Sequence, residues 1–421
     1  MTTAKPRADR ARRSVLARTI LTVAVAVVAF SGCACERPKR VPAMGTAVPL
    51  VRVRLGTDVE AVAVAVKGPW QLVGGSGEIA SGKDLDWTRV SVEKGAIVFG
   101  SVATIKGPAE LVGTSDDPVR VAQTVDKQSR GRRYRGRLRL APVGPAALRL
   151  VNVLPMEAYL AGVLACELPG SWHVEAFKAQ CIAARTYALI SRNTRTRYDF
   201  DVYDSTSSQV YGGMDRETAK TWEAVSATRG VVAAYGDAAG KPVLLRTYYS
   251  STCGGETASA GSAFGGGTPV PLAGGVACTY CGRSPKYRWP EVVLTKRQVG
   301  DALRRSGSAS LVKLGDIRRV EVAERTSRDG RAQRIRVVDA AGQSVLLRAG
   351  YWRILMGAGK VPSTWFEIED RGDRIALTGG RGYGHGVGMC QWGAGYLAAH
   401  GKTGEEIIRY YYPKVDLVKA Y

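Results

Sequence analysis

From residue 50 onward the chain is laid out in short runs of alternating apolar and polar positions. Residues 51–55 (VRVRL) alternate strictly and residues 62–66 (VAVAV) form a compact β-branched run. Residues 96–98, 102–105, 135–140 and 148–153 continue in the same style between glycines. A period of two predicts strands at each of these places. At residue 154 the period changes. Met156, Tyr159, Leu160, Val163 and Leu164 fall on one helical face, with Pro155 at a tolerated first-turn position. Pro169-Gly170 ends that helix. Ser171 is the expected N-cap of a longer helix over residues 174–192, which keeps Phe177, Cys181, Ala184 and Ala188 in register. A third helix is expected over residues 216–228.

Beyond it the pattern predicts a strand at residues 243–249, a Gly- and Ser-rich stretch over 250–282, and a β-meander. The meander strands, 320–323, 334–338 and 344–348, are separated by Asp329-Gly330 and Ala341-Gly342. Strands flanking a helical insertion make the class α+β, a strand-rich scaffold interrupted by helices. No internal repeat and no heptad pattern is present. The expected division is 1–32, 33–49, 50–150, 151–290 and 291–415.

The first segment is not fold material. Lys5, Arg7, Arg10, Arg12, Arg13 and Arg18 precede an apolar run at residues 20–30, followed by Ser31, Gly32 and Cys33. A basic head, a short apolar run and small residues describe a secretory signal. Ser31 and Gly32 before Cys33 resemble a bacterial lipobox, which implies cleavage before Cys33 and lipidation of its thiol. An ordinary signal peptide or an uncleaved anchor, with Cys33 incidental, is the alternative. Residues 34–49 read as a polar, Pro-containing tether.

Composition then changes the reading of charge. With 60 Lys and Arg against 37 Asp and Glu, the chain of 421 residues carries a formal net charge of +23. A cytoplasmic protein so basic would suggest nucleic acid. Residues 130–139 (RGRRYRGRLR), with six arginines, would suit it. For an exported chain the available polyanions are envelope polymers and lipid head groups, so no nucleic acid is expected. An arginine-rich strand and turn with a solvated face is the plain alternative.

Familiar chemistry is missing: no Walker A loop, no HExxH, no GxGxxG after a strand and no GxSxG elbow. Residues 379–395 (GGRGYGHGVGMCQWGAG) hold eight glycines in seventeen positions. Such a loop brings backbone close to a ligand, and Tyr383, His385, Gln391 and Trp392 add surfaces that suit a sugar. A tight loop stitching strands together explains the composition equally well. Cys278-x-x-Cys281 with upstream Cys253 has the spacing of a Zn²⁺ site, and a disulfide is the competing reading in an exported protein.

Several ordered motifs resemble one known family. Residues 151–189 (VNVLPMEAYLAGVLACELPGSWHVEAFKAQCIAARTYAL) strongly resemble the SpoIID/LytB family of stage II sporulation protein D and its relatives. Residues 201–213 (DVYDSTSSQVYGG), 251–257 (STCGGET), 383–394 (YGHGVGMCQWGA) and 407–413 (IIRYYYP) fit in order. The resemblance covers residues 50–413. It implies a membrane-tethered protein acting on peptidoglycan. Its best-known members are lytic transglycosylases that cut peptide-stripped glycan strands with 1,6-anhydro ring formation, and others are described as amidase enhancers.

By that resemblance Glu167 is the catalytic acid, and Arg185, Tyr187, Asp204, Gln209, Tyr211, His385 and Gln391 line the glycan groove. Plain structural readings exist for each: Arg185 as an ion pair, Tyr187 as a core ring, Asp204 as a turn cap, His385 as a loop histidine, and Glu167 as a turn cap before Pro169. The other two histidines, His173 and His400, read as surface residues. Many relatives carry His three residues before the Cys-Gly-Gly, at a reported zinc site. Here Ser250 stands there, so His385 or Cys390 would have to complete the ligands. The expected function is an exported lytic transglycosylase, with a cell-wall amidase as possible partner. A non-catalytic amidase enhancer and a two-carboxylate glycoside hydrolase, with Asp204 as second carboxylate, are the alternatives.

Overall fold

The computed structural model describes residues 47–114, 117–123, 130–237 and 239–421. The expected signal segment, Cys33 and most of the tether lie outside these residues. The alternating run at 51–55 becomes the strand Leu50–Arg54, which pairs antiparallel with Ala147–Pro155 in the register Leu50↔Pro155 to Arg54↔Val151. Those two strands sit inside a seven-stranded sheet, and a six-stranded sheet is centred on Ala61–Val66 and Leu85–Glu93. The inward residues Val51, Val53, Leu72, Leu111 and Leu138 of one sheet share a core with Val62, Val64, Val90 and Ile97 of the other. Leu50–Arg54 buries alternate residues, as its period requires, whereas Ala61–Val66 is buried on both faces.

The strand Ala147–Pro155 runs straight into helix α1 (Met156–Glu167), whose N-cap is Pro155. The proline thus lies one position earlier than its predicted place in the first turn. Residues 156–164 are all buried, so α1 is enclosed all round rather than on one face. Gly162 permits this close packing: a Cβ there would stand 2.6 Å from the Tyr211 ring. Helix α2 (Val174–Thr194) is capped by His173, whose Nδ1 accepts from the Glu175 N–H at 3.3 Å, and not by Ser171. Thr218 and Thr221 form a capping box on α3 (Ala219–Ala227).

Buried Glu157 on α1 meets fully buried Arg185 on α2, with Nη2 2.7 Å and Nε 3.2 Å from the carboxylate. Arg185→Met should therefore cost about 3–5 kcal/mol, because it strands an unpaired carboxylate in the core. A lower urea midpoint at unchanged slope is the expected readout.

The strand expected at 243–249 is broken into Pro242–Leu244 and Tyr249–Ser250. Thr247 causes the break by donating its hydroxyl to the Ala183 carbonyl of α2 at 2.6 Å, which pulls the chain off the sheet. Past the short helix α4 (Ala260–Phe264) the chain enters a unit with a second core, built from Leu294, Val299, Leu303, Val320, Ile335, Trp352, Phe366 and Leu377. It contains the meander Ile317–Arg325, Ala332–Asp339 and Ser344–Arg348. With it come helices α5 (Lys296–Arg304), α6 (Ala309–Val312) and α7 (Ala349–Met356).

The segment expected as one unit, 291–415, therefore divides. After Arg374–Thr378 the chain returns to the first core, where Met389–Cys390 pairs in parallel with Tyr249–Ser250. Helices α8 (Gln391–Ala399) and α9 (Gly404–Tyr411) follow. The strand Asp416–Lys419 then closes on Val231–Gly236.

The arginine run 130–139 is a strand and turn whose charges are largely paired. Arg133 meets Asp215 at 2.6 Å, Arg135 meets Glu217 at 2.9 Å, and Arg137 and Arg139 share Glu110. That arrangement leaves little of the run for a polyanion. Among the described residues no helix is long and apolar enough to cross a membrane.

Candidate active site around Glu167

Glu167 is the last residue of α1, where the helix gives out before Pro169. Two neighbours fix its carboxylate. The Val210 backbone N–H donates to Oε1 at 2.9 Å and the Gln391 amide donates to Oε2 at 3.2 Å. Burial is the largest influence and raises the Glu167 carboxyl above its ordinary range, while hydrogen bonds from Val210, Gln391 and Tyr249 pull it partly back. The negative end of α1 acts with burial.

The carboxyl opens into a cavity of about 360 Å³ lined by Glu167, Trp172, Ser251, Lys286, Gln391 and Trp392 among others. Among the described residues, Glu167 is the only carboxylate in that lining. Trp172 and Trp392 stand edge to face, 5.3 Å between centroids, giving the cavity a flat apolar wall beside a proton donor.

A buried polar chain backs the carboxyl. Tyr159 donates its hydroxyl to Gln209 Oε1 at 3.0 Å, and Gln209 Nε2 donates to the Tyr249 hydroxyl at 2.9 Å. Tyr249 then bonds to Glu167. On the other side Gln391 Nε2 also donates to Oε1 of fully buried Gln180 at 3.4 Å, which orients the Gln391 amide with its N–H groups toward Glu167.

The residues expected along a groove thus separate. Glu167 and Gln391 reach the cavity. Gln209 does not; it works from behind, through Tyr249. Tyr211 is buried, donates to Asn152 at 2.9 Å and packs against the rings of Tyr159 and Tyr134. Arg185 is the core ion pair described above, so a fully buried side chain replaces the expected groove contact. Tyr187 is half-buried, edge-on to Tyr248.

Asp204 accepts from the Gly56 N–H at 3.0 Å and lies outside the cavity lining, which leaves a two-carboxylate arrangement without its partner in the cavity. His385 folds away from the cavity, its Nδ1 accepting from the Val387 N–H at 3.0 Å and its ring against Tyr248 and Phe264. Burial, then Arg353 and Arg331, push it down to about 3, so it is a neutral loop histidine.

Residues that sequence reasoning missed are Tyr249, Gln180, Trp172 and Lys286. Only Gln180 carried a signal, as a glutamine three residues from Phe177 and four from Ala184 on an otherwise apolar helix face.

Behind the glycine-rich loop lies a second cluster. The sulfurs of Cys253, Cys278, Cys281 and Cys390, all buried, stand within 4.8 Å of one another. Cys253 and Cys281 are 3.6 Å apart and none of the four is disulfide-bonded. Tetrahedral thiolates at about 2.3 Å from a metal ion are about 3.8 Å apart, whereas a disulfide needs about 2.05 Å. The Cys253 N–H points at the Cys390 sulfur at 3.3 Å, the kind of bond that supports a metal-bound thiolate. The group can hold a metal ion with Cys390 as fourth ligand. Ser250 instead accepts from the Gly386 N–H, and His385 takes no part.

Comparison with known proteins follows this geometry closely. Residues 146–235, which carry α1, α2 and the segment that holds Glu167, match the family model of the stage II sporulation protein, SpoIID. Residues 281–388, a span that contains the inserted unit, match a domain of unknown function (DUF8618). The chain is 34% identical over 297 residues to an uncharacterized protein of Brachyspira hyodysenteriae, covering 68% of this chain and 73% of that one. It is 30% identical to the stage II sporulation protein D of Bacillus amyloliquefaciens over 66% of this chain and 78% of the relative. With the amidase enhancer of Bacillus subtilis it shares 28% identity over 61% of this chain but only 40% of that longer protein.

Proposed function

The chain belongs to the SpoIID/LytB family, and from that premise we propose that it is an exported lytic transglycosylase of peptidoglycan. What supports this most is one half-buried carboxyl, Glu167, alone in a cavity walled by Trp172 and Trp392. Breaking the bond between N-acetylmuramic acid and N-acetylglucosamine requires protonation of a poor leaving group as positive charge builds at the anomeric carbon. Burial, which raises the Glu167 carboxyl, favours the protonated form that can give this proton.

Glu167 gives its proton to the glycosidic oxygen, and the C1–O bond breaks. The resulting carboxylate then takes the proton of the muramic acid C6 hydroxyl as that oxygen bonds to C1. The proton and both bonds balance without a second carboxylate. Val210 and Gln391 hold the two carboxylate oxygens from the protein side, which leaves a lone pair for the cavity. Tryptophan faces suit the C–H surfaces of sugars.

The four cysteines would hold a structural Zn²⁺ that ties the loop bearing Cys253, the turn bearing Cys278 and Cys281, and the start of α8. A closed thiolate set has no open position for substrate.

Mass spectrometry of products tests the reaction. The protein is incubated with amidase-stripped glycan strands. Anhydro ends support the proposal, while hydrated reducing ends point to a hydrolase. Binding without cleavage favours the second reading, a glycan-binding amidase enhancer, which the name of one relative supports.

Export with a lipid on Cys33 completes the proposal, placing the domain on the outer face of the membrane. Cys33→Ser should shift the protein from the membrane to the soluble fraction. Unchanged partitioning, with an unchanged mass of the N-terminal peptide, would reject the anchor.

A further inference from the structure

Helix α2 joins two unlike ends of the core. Its N-terminal end follows Trp172, in the wall of the Glu167 cavity. Its C-terminal end carries Arg192 in the last turn, Arg195 at the C-cap and Arg197 just beyond. A helix of 21 residues sets the two ends roughly 30 Å apart. The chain also enters the domain at the second end. The Leu50 carbonyl accepts from Arg192 Nε at 3.0 Å. The Pro49 carbonyl accepts from the Met156 N–H at 2.9 Å, at the end of α1 opposite Glu167.

The arginines at this end are in excess. The Arg195 guanidinium lies over the rings of Tyr198, Phe200 and Tyr203, at 5.8, 5.6 and 5.2 Å from their centroids. Arg54 and Arg149 address the Phe200 ring as well. The acids of this surface are engaged by other arginines: Asp201 by Arg52 at 2.6 Å, Asp58 by Arg54 at 3.0 Å, and Asp199 by Arg149 at 3.1 Å. Those charges cancel, and Arg192, Arg195 and Arg197 remain without a described carboxylate partner. Beside them Tyr198 is 58% exposed and Leu50 39% exposed. The dipole of α2 accounts for a cation in its last turn. It does not account for an exposed arginine past the helix, next to an exposed ring.

We propose that this end of α2 is a membrane-facing surface that takes the phosphates of anionic lipid head groups. The inference rests on the reading that the chain is exported with a lipid on Cys33. Residues 34–46, between that anchor and the described domain, span at most about 45 Å when fully extended. The bilayer is therefore within reach of the surface where the chain enters. Guanidinium groups pair with phosphate, and a tyrosine ring suits the head-group level. Each cation near an anionic bilayer strengthens the attraction about fivefold. Three are too few to hold a free protein on a membrane and enough to orient a tethered one. Docked this way, the domain presents the Glu167 cavity at the end turned from the bilayer, roughly 30 Å out along α2.

Hydrogen exchange read by mass spectrometry tests the surface on the full chain. The protein is reconstituted in vesicles of phosphatidylcholine, and in vesicles that also contain phosphatidylglycerol. Amides of residues 196–199 should exchange at least ~fivefold more slowly on the anionic vesicles, and added salt should remove the difference. Residues 167–172, at the cavity, should exchange alike on both. Arg197 makes no described contact, so Arg197→Gln should melt with the parent while weakening the protection about fivefold. Replacing Arg192, Arg195 and Arg197 together by Gln should abolish it.

Equal exchange of residues 196–199 on the two vesicles overturns the surface. Protection of residues 167–172 in their place overturns it too, since the cavity would then face the bilayer. Protection by soluble polyphosphate in detergent, not reproduced by anionic vesicles, would assign the arginines to a wall polymer and reject the membrane contact. A chain that does not stay on neutral vesicles rejects the Cys33 anchor. Comparison of Arg197→Gln with the parent on anionic vesicles then still decides the surface.

Discussion

Glu167→Gln should bind stripped glycan strands normally and cleave them at least ~10²-fold more slowly. Glutamine keeps the shape of the side chain and can still meet Val210 and Gln391 after an amide rotation, but it has no proton to give. The pH dependence separates this from a packing defect. Because burial raises the Glu167 carboxyl, the acid is present below its folded pKa and is lost as pH rises through it. The parent's activity should therefore fall on the alkaline side along that titration, and the residual activity of the variant should lack the limb.

Stability has the opposite bearing. A carboxyl with a raised folded pKa favours the folded state below the unfolded value of about 4.3, and that contribution is lost as pH rises through the folded value. At neutral pH the glutamine variant should thus melt no lower than the parent. A variant that cleaves near the parent rate, releasing anhydro products, would end the catalytic assignment.

The second large effect is expected at the cysteine cluster. The purified protein should contain about one Zn²⁺ per chain, and Cys281→Ser should abolish it. In small zinc domains such a site contributes about 10–16 kcal/mol. Here two hydrophobic cores remain, so a loss of about 5 kcal/mol is expected, a fall in melting temperature on the order of 10 °C. Activity should drop as well, because Cys390 is followed directly by Gln391, which holds the Glu167 carboxylate. Elemental analysis without zinc, together with a Cys253 disulfide in peptide maps, would refute the metal.

The helices and the outline of the site were legible because their signals are local. Periodicity located α1 and α2 to within a few residues, and the family resemblance, carried by the Glu-Leu-Pro motif, singled out Glu167 as the candidate acid. What escaped was direction. A motif gives spacing along the chain but not which way a side chain faces. Arg185, Gln209 and Tyr211 sit in motifs beside the catalytic candidate yet face the interior, where they brace α1 or support Tyr249. Cys390, expected as one of two candidates to complete the ligand set, illustrates the same gap, since spacing could not choose it over His385. It follows Cys281 by 109 positions, across the whole inserted unit, and nothing in local spacing joins the two. Strands such as Trp70–Gly74 and Gly77–Gly82 were missed because weakly alternating, glycine-flanked residues form strands only when neighbours are there to pair with.

The return of the chain to its first core has a bearing on how the protein matures. Gln391 reaches Glu167 across 224 positions, Asp416–Lys419 supplies an edge to Val231–Gly236, and the Tyr421 hydroxyl donates to Glu157 at 2.7 Å. Contacts so distant in sequence form late, since the intervening loop must be closed first. If the chain is exported as proposed, threading from its N-terminus would carry Glu167 across long before the residues that orient it. The carboxyl would stay solvated, with an ordinary acidity, until the last helices arrived. On the proposed reading, timing built into the topology would keep the cutting activity silent during delivery, with no inhibitor required.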